Sequence, residues 1–343
     1  MRRVLRYDFI FWMCLLFFGT LLLLSFGNAV FRDGQVDQIQ NLYSKDGTFI
    51  ATSPLEPSTD RWFGTDRSGN DLFQVMIEGA KWTIGVCVSV AFARIVLALL
   101  IGVPLAFQGK RLYTALRLLL DGFLIIPISL LALFILLPAF LFIDPASVPS
   151  AFSRVFLEVS VLTVLGLPAL VLYLIGETRQ LLAQEFMLVA RTLGGRPGHQ
   201  FRVHIWPHLL PTLTIVFMQQ FVQTLMVLIH LSLFGLFFGG TLVLFEGGAA
   251  PIIFEWASQF GYYFLQFSAV SWINHLFLVP AIALALLVFF ANLLTSRLER
   301  AYRLRRQQIS SSTTLLAEAE AATAHLFHPF DPVDISIKSQ EDI

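Results

Sequence analysis

Six apolar runs, each long enough to cross a bilayer, constrain this chain more than anything else in it. They are Phe9–Phe31, Thr83–Phe107, Leu118–Ile143, Val159–Gly176, Leu210–Phe238 and Ile273–Leu294. A hydrocarbon core of about 30 Å takes roughly 20 apolar residues as a helix. Only helices and closed barrels satisfy every backbone polar group at that depth. The expected fold is therefore all-α and polytopic, with six transmembrane helices. Composition agrees: 56% of the 343 residues are hydrophobic and 13% charged, with mean hydropathy +0.73, whereas soluble domains carry about a quarter charged residues. Arg2, Arg3 and Arg6 precede the first run as they would in a signal peptide. That run is longer than a usual signal core and has no clear small-x-small cleavage site, so it reads as a retained anchor. Cys14 and Cys87 both lie in apolar runs, which speaks against a disulfide framework or a thiolate metal site.

Charge distribution orients the runs. With the N-terminus inside, sixteen Lys and Arg fall in the cytoplasm and six on the opposite side, while Arg94 lies within a span. This positive-inside asymmetry predicts an inner-membrane protein with both termini cytoplasmic. The chain then divides into an N-terminal segment and first span (1–31), an extracytoplasmic loop (32–82), a core of five spans (83–300) and a flexible cytoplasmic tail (301–343). The core contains a cytoplasmic loop, 177–208. A second outer loop, Gly239–Trp272, is aromatic and lacks Lys and Arg, so it is expected to lie at the interface or fold back into the protein.

Within the cytoplasmic loop, Glu185–Pro211 is a polar island between two oily runs. Leu182, Phe186, Val189, Ala190 and Leu193 recur at three- and four-residue steps, which predicts an amphipathic helix. Gly194-Gly195 supplies a left-handed exit from it. Met187 and Leu188 fall off the stripe and would be exposed unless a partner covers them. A plain alternative is a helix lying on lipid headgroups. The island resembles the EAA motif of ABC-importer permeases of the dipeptide/oligopeptide branch. Glu185, Ala190, Arg191, Leu193, Gly194, His204, Ile205, Pro207, Leu210 and Pro211 match in order. Val189, Trp206 and His208 depart from the pattern. The resemblance implies a type I importer permease fold. It also implies that Glu185, Phe186, Met187, Leu188, Ala190, Arg191 and Gly194 couple to a separate ATPase subunit.

A second match lies on the other side of the membrane. Trp62-Phe63-Gly64-Thr65-Asp66, then Gly69, Asp71 and Gly79-Ala80, resembles the segment before the second span of the C-type permease subunit. Asn70 stands where Arg is usual. Asp121 followed by Pro127 resembles the entry to the third span, and Glu255-Trp256, Trp272, Pro280 and Asn292-Leu293-Leu294 echo later landmarks. Trp62, Phe63, Gly64, Asp66 and Asp71 form an outer-mouth motif, its carboxylates placed to hold a turn through backbone N–H groups. The expected partners are a homologous permease subunit, two ABC ATPase subunits, an extracytoplasmic substrate-binding protein and membrane lipid. ATP and Mg would sit on the partner subunits, because the chain has no G-x-x-x-x-G-K-[ST] loop. Di- or oligopeptides are the expected cargo. A nickel chelate or another small solute, or a non-transporting scaffold derived from such a permease, remain as alternatives.

Further residues offer candidate chemistry. Arg94, ionisable and central in a span, marks a functional site by default; it would line the pathway or form a buried pair with Asp121 or Glu158. His199, His204 and His208 are spaced as metal ligands could be, but Pro207 separates the last two and His204 matches a permease position. His230 has no second acid nearby for a proton relay. The basic stretch Arg297–Arg306 follows a span directly, which suits anionic headgroups rather than nucleic acid.

Overall fold

The computed structural model describes residues 8–43, 49–194, 196–243, 248–267 and 274–326, without the side chains of Lys110, Asp121, Phe123, Leu124, Arg191, Phe267, Asn274 and 305–326. Lys45, Gly195, Glu246, Trp272 and Lys338 fall outside the described residues. Helices dominate: α1 (Phe9–Phe31), α2 (Leu72–Ala106), α3 (Lys110–Ile125), α4 (Ile128–Phe140), α5 (Ala151–Leu182), α6 (Glu185–Thr192), the single turn α7 (Pro197–Gln200), α8 (Trp206–Leu233), α9 (Trp256–Phe267) and α10 (Asn274–Leu326). A π-helical turn, Phe201–Ile205, joins α7 to α8. Among the described residues five stretches are long and apolar enough to cross a membrane: Phe9–Phe31, Leu72–Ala106, Ala151–Leu182, Pro197–Leu233 and His275–Leu304. The fold is an all-α polytopic one.

The third apolar run is not one span. It breaks between α3 and α4, because Pro127 forces Ile126 into extended backbone (φ −81°, ψ 128°). α3 is amphipathic, and the apolar α4 that follows has only 13 residues, about 20 Å of helix.

Two helices are longer than hydropathy predicts, for a reason visible in their charges. α2 begins at Leu72 rather than Thr83. Asp71 caps it by accepting from the N–H of Phe73 (2.9 Å) and Gln74 (3.2 Å). Glu78 and Lys81 then pair with each other one turn apart, so the polar first turns stay helical. The loop read as 32–82 therefore ends at Asp71. At the other terminus α10 continues to Leu326. The stretch read as tail from Ala301 is thus helical in its first part, in keeping with its Ala, Leu, Glu, Arg and Gln content.

The bundle has two distinguishable ends. At one, which we call the loop end, lie residues 32–43 and 49–71, with the antiparallel pair β1 (Asn41–Tyr43) and β2 (Phe49–Thr52). A small sheet also sits there: β3 (Leu141–Phe142) pairs in parallel with β4 (Thr241–Val243), which pairs antiparallel with β5 (Ala249–Pro251). The aromatic segment after β5 folds back into the protein, burying Trp256, Tyr262 and Tyr263. The opposite end carries the α2–α3 connection, α6 and α7.

Buried apolar side chains fall into two main clusters. One joins α1, α2, α8, α9 and α10 around Ile84, Val90, Phe221, Leu228 and Leu287. The other joins α2, α5, α6 and α8 around Ala98, Leu174, Met187, Ile205 and Leu209. α1 is tied to α2 by polar contacts: Ser25 Oγ donates to the carbonyl of Glu78 (3.2 Å) and Asn28 to its carboxylate (2.9 Å).

Candidate functional site

Three groups of residues stand out, and the structure treats them differently. The first is α6. Glu185 opens it, and Gly194 (φ +79°) provides the left-handed exit beyond Thr192. The helix is turned about its axis relative to the sequence reading. Met187, expected to be exposed, is completely buried in the cluster with Leu182, Ile205 and Leu209. Phe186, Val189 and Leu193, expected on the packed stripe, are exposed by 38%, 57% and 82%, and Leu188 by 55%. An eight-residue helix has only about two turns, so one large side chain decides which face it buries. The flexible Met187 fits the gap left between α5 and α8. Ala190 is half-buried, and Arg191's side chain lies outside those described.

The remaining contacts fix this end of the bundle. Phe186 stacks on the His208 ring with centroids 5.4 Å apart, and the rings of His199 and His204 meet edge to face at 6.3 Å. Arg179, near the end of α5, donates to the carbonyls of Gln108 (2.9 Å) and Gly109 (3.3 Å) and lies 4.5 Å above the Tyr113 ring. One side chain thus holds α5, the end of α2 and the start of α3 together. Sequence reading counted Arg179 only as a cytoplasmic charge.

The outer-mouth motif is a closed hydrogen-bonded unit. Gly64 (φ +73°) leaves no room for a side chain, since a Cβ would stand 2.3 Å from the Leu55 carbonyl oxygen. Asp66 is buried and accepts from the backbone N–H of Asn70 (2.8 Å) and from its side-chain amide (2.9 Å), with the Tyr263 hydroxyl at 3.5 Å. Burial pushes the Asp66 carboxyl above its ordinary range, and the hydrogen bonds from Asn70 oppose that shift. Asn70, where Arg is usual, is therefore Asp66's principal partner. Asp71 caps α2. Phe63 packs on Phe73 (5.7 Å), while Trp62 is 67% exposed.

Nearby, Glu255 is fully buried and capped on all sides. It accepts from the Thr83 hydroxyl (3.0 Å), the N–H of Ala257 (3.0 Å), and the N–H (2.8 Å) and hydroxyl (3.0 Å) of Ser258. The sequence marked it only as a landmark. A carboxylate two residues before Ala257 and three before Ser258 at a helix start was the available signal for a cap.

The third group surrounds Arg94, which is completely buried between α2, α5 and α8. Its Nε and Nη2 donate to the carbonyl of Leu162 (3.2 and 2.7 Å), and Nη1 donates to Gln220 (2.9 Å) and, at 3.4 Å, to Gln223. Gly166 makes the slot, since a Cβ there would come within 2.2 Å of the guanidinium carbon. Among the described residues no carboxylate forms an ion pair with Arg94. Asp121's side chain lies outside them. Glu158, the other partner considered, instead accepts from the Gly239 N–H (2.9 Å), whose carbonyl accepts from Arg154. Glu158 and Arg154 thus share a loop residue and leave Arg94 to neutral acceptors.

Beyond Ile95 the chain carries the signature of one family over more than half its length. It belongs to the binding-protein-dependent transport system inner membrane components, whose family model matches residues 95–304. This is a family of transporter permease components, not of enzymes. Among individual proteins, it is 24% identical over 175 residues to the oligopeptide transport system permease protein OppC of Bacillus subtilis (strain 168). That match covers 50% of this chain and 53% of OppC, so the chain spans about half the length of the curated relative it matches.

Proposed function

We propose that this protein is a permease subunit of an ATP-driven peptide importer and forms half of a translocation pathway whose other half is a homologous permease. The loop end faces an extracytoplasmic binding protein, α6 faces the cytoplasm, and both termini are cytoplasmic. Two separate ATPase subunits, carrying the ATP and Mg, dock through α6 and its counterpart. Di- or oligopeptides are the cargo, in line with the likeness to OppC.

The observation that carries this reading is the surface of α6. Phe186, Leu188 and Val189 project from a short helix seated by the buried Met187, and Leu193 is exposed just beyond its end. Exposed apolar side chains grouped on a rigidly seated element mark an interaction surface. α6 follows α5 after a two-residue link and precedes α8, so motion of a docked ATPase would reach both helices and rock the bundle between two packings.

The test is substrate-stimulated ATP hydrolysis and uptake in a reconstituted assembly of the two permeases, the ATPases and the loaded binding protein. Glu185→Arg reverses a charge on the docking surface, and Gly194→Pro distorts the helix exit. Either is expected to uncouple hydrolysis from uptake or lose the ATPase on purification, while the permease still inserts. Normal coupling in both variants contradicts the proposal.

A further inference from the structure

The importer reading leaves open what the pathway recognises, and α8 carries an answer that rests on that reading. At 100° per residue, Thr212, Gln219, Gln223 and His230 fall within about 40° of one another on a single side of the helix. Gln219 and His230 are exposed, and Thr212 and Gln223 are half-buried. All four lie in a stretch long and apolar enough to span a membrane. Bare amides are costly to bury in hydrocarbon without a partner, so this side meets water or protein rather than lipid.

Arg94 lies behind it. A guanidinium is all donors, with no acceptor. Gln220 and Gln223 must therefore turn their side-chain oxygens toward Arg94, which points their NH2 groups the other way. Gln223 also lines a cavity of about 490 Å³ with Ile126, Ile128, Leu131, Val164 and Pro168. The result is an apolar cavity with one oriented donor, backed by a buried cation that has no anionic partner among the described residues.

We propose that Gln223, held donor-outward by Arg94, receives the carboxylate of the passing substrate, so that the pathway prefers solutes combining an apolar body with a negative charge, such as peptides with a free C-terminus. Arg94 is a positioning residue. It orients the amide and supplies the positive potential without touching substrate.

The experiment uses the full-length permease assembled with its partner subunits in membrane vesicles. Single cysteines replace Gln219, Gln223 and, as a control on α10 expected to face lipid, the exposed Leu278; Cys14 and Cys87 are buried. Each variant is reacted with two membrane-impermeant methanethiosulfonates of similar size, one sulfonate and one trimethylammonium. Gln219→Cys and Gln223→Cys are expected to react and Leu278→Cys not. At position 223 the anionic reagent should be favoured by about tenfold, relative to a free thiol in solution, because a nearby cation with no carboxylate partner among the described residues concentrates anions in a low-dielectric cleft. Adding Arg94→Gln should abolish that preference.

If Arg94→Gln does not accumulate, the decision falls to protection at Gln223→Cys. Trialanine, added without the binding protein, should slow labelling, and trialanine amide should not. Silence at both α8 positions, equal reaction with both reagents, a preference that survives Arg94→Gln, or equal protection by the two peptides overturns the proposal. Labelling needs no ATP, so an assembly that labels charge-selectively but imports nothing counts against the importer reading and leaves this site standing.

Discussion

The two ends of the bundle are finished to different degrees. At the loop end the polar groups that define the motifs are satisfied within the chain. Asp66 has Asn70 and Tyr263, Asp71 has the first turn of α2, and Glu255 has four donors. At the other end α6 buries the large side chain of Met187 and leaves three large apolar ones on its surface, with Leu193 exposed just beyond it. Buried groups with all partners in place hold a shape, whereas a seated helix with a bare apolar face invites a partner. Both motifs carry a resemblance in sequence, although the family match over residues 95–304 takes in only the second; the structure makes the first self-contained and the second incomplete.

The largest expected effect breaks the sealed end. Glu255→Ala leaves the backbone N–H groups of Ala257 and Ser258 without their side-chain acceptor, while the Thr83 hydroxyl keeps the Gly79 carbonyl. Each buried orphan costs about 1–3 kcal/mol, so the variant should show sharply lower membrane yield and a lower melting temperature in detergent. A normal melting temperature would mean that the loop end is not organised around this carboxylate.

Next comes a pair of substitutions within α6. Met187→Ala removes a fully buried side chain and is expected to cost about 2–5 kcal/mol, less whatever the short helix recovers by collapsing. Leu188→Ala, one residue along, should change stability by no more than about 0.5 kcal/mol and instead lower the amount of ATPase that co-purifies. Equal loss of stability in the two variants would erase the contrast between the pinned and open faces of the helix.

The smallest effect is a pH slope at the loop end. Burial raises the folded-state value of Asp66 above the unfolded 3.8, so the folded protein holds this proton more tightly than the unfolded chain does. Its contribution is most favourable at low pH and is lost as pH rises from the unfolded toward the folded value. Asp66→Asn should flatten that part of the melting-temperature profile, measured from about pH 4 to about pH 7. A steeper slope in the variant would show that Asp66 is held as the charged form.

Much of the fold was legible because hydropathy reports burial in lipid directly. The spans Phe9–Phe31 and Val159–Gly176 sit inside α1 and α5, and Leu210–Phe238 falls on α8 except for its last residues beyond Leu233. The errors share one cause: hydropathy marks apolar length, not where backbone geometry or local charge pairing starts and stops a helix. Pro127 split one run into two helices, and the Glu78–Lys81 pair and the Asp71 cap extended another by several turns. At the site, sequence located α6 and its glycine exit. It misread the buried face, because eight residues give too few turns for periodicity to outweigh a single well-placed Met187. Arg94 was visible as a charge in a span, but its partners were not, since Leu162, Gln220 and Gln223 offer neutral acceptors rather than the opposite charge a sequence search looks for. The four- and seven-residue spacing of Gln219, Gln223 and His230 was present in the sequence, yet it gains meaning only beside the buried cation.

Cross-linking from α6 in the assembled complex tests the central claim most directly. A photoreactive residue replacing Leu188 or Val189 should capture a separate ATPase subunit, and one replacing Met187 should capture only this chain. Capture of lipid from 188 and 189, with no ATPase adduct at either position, would contradict the account.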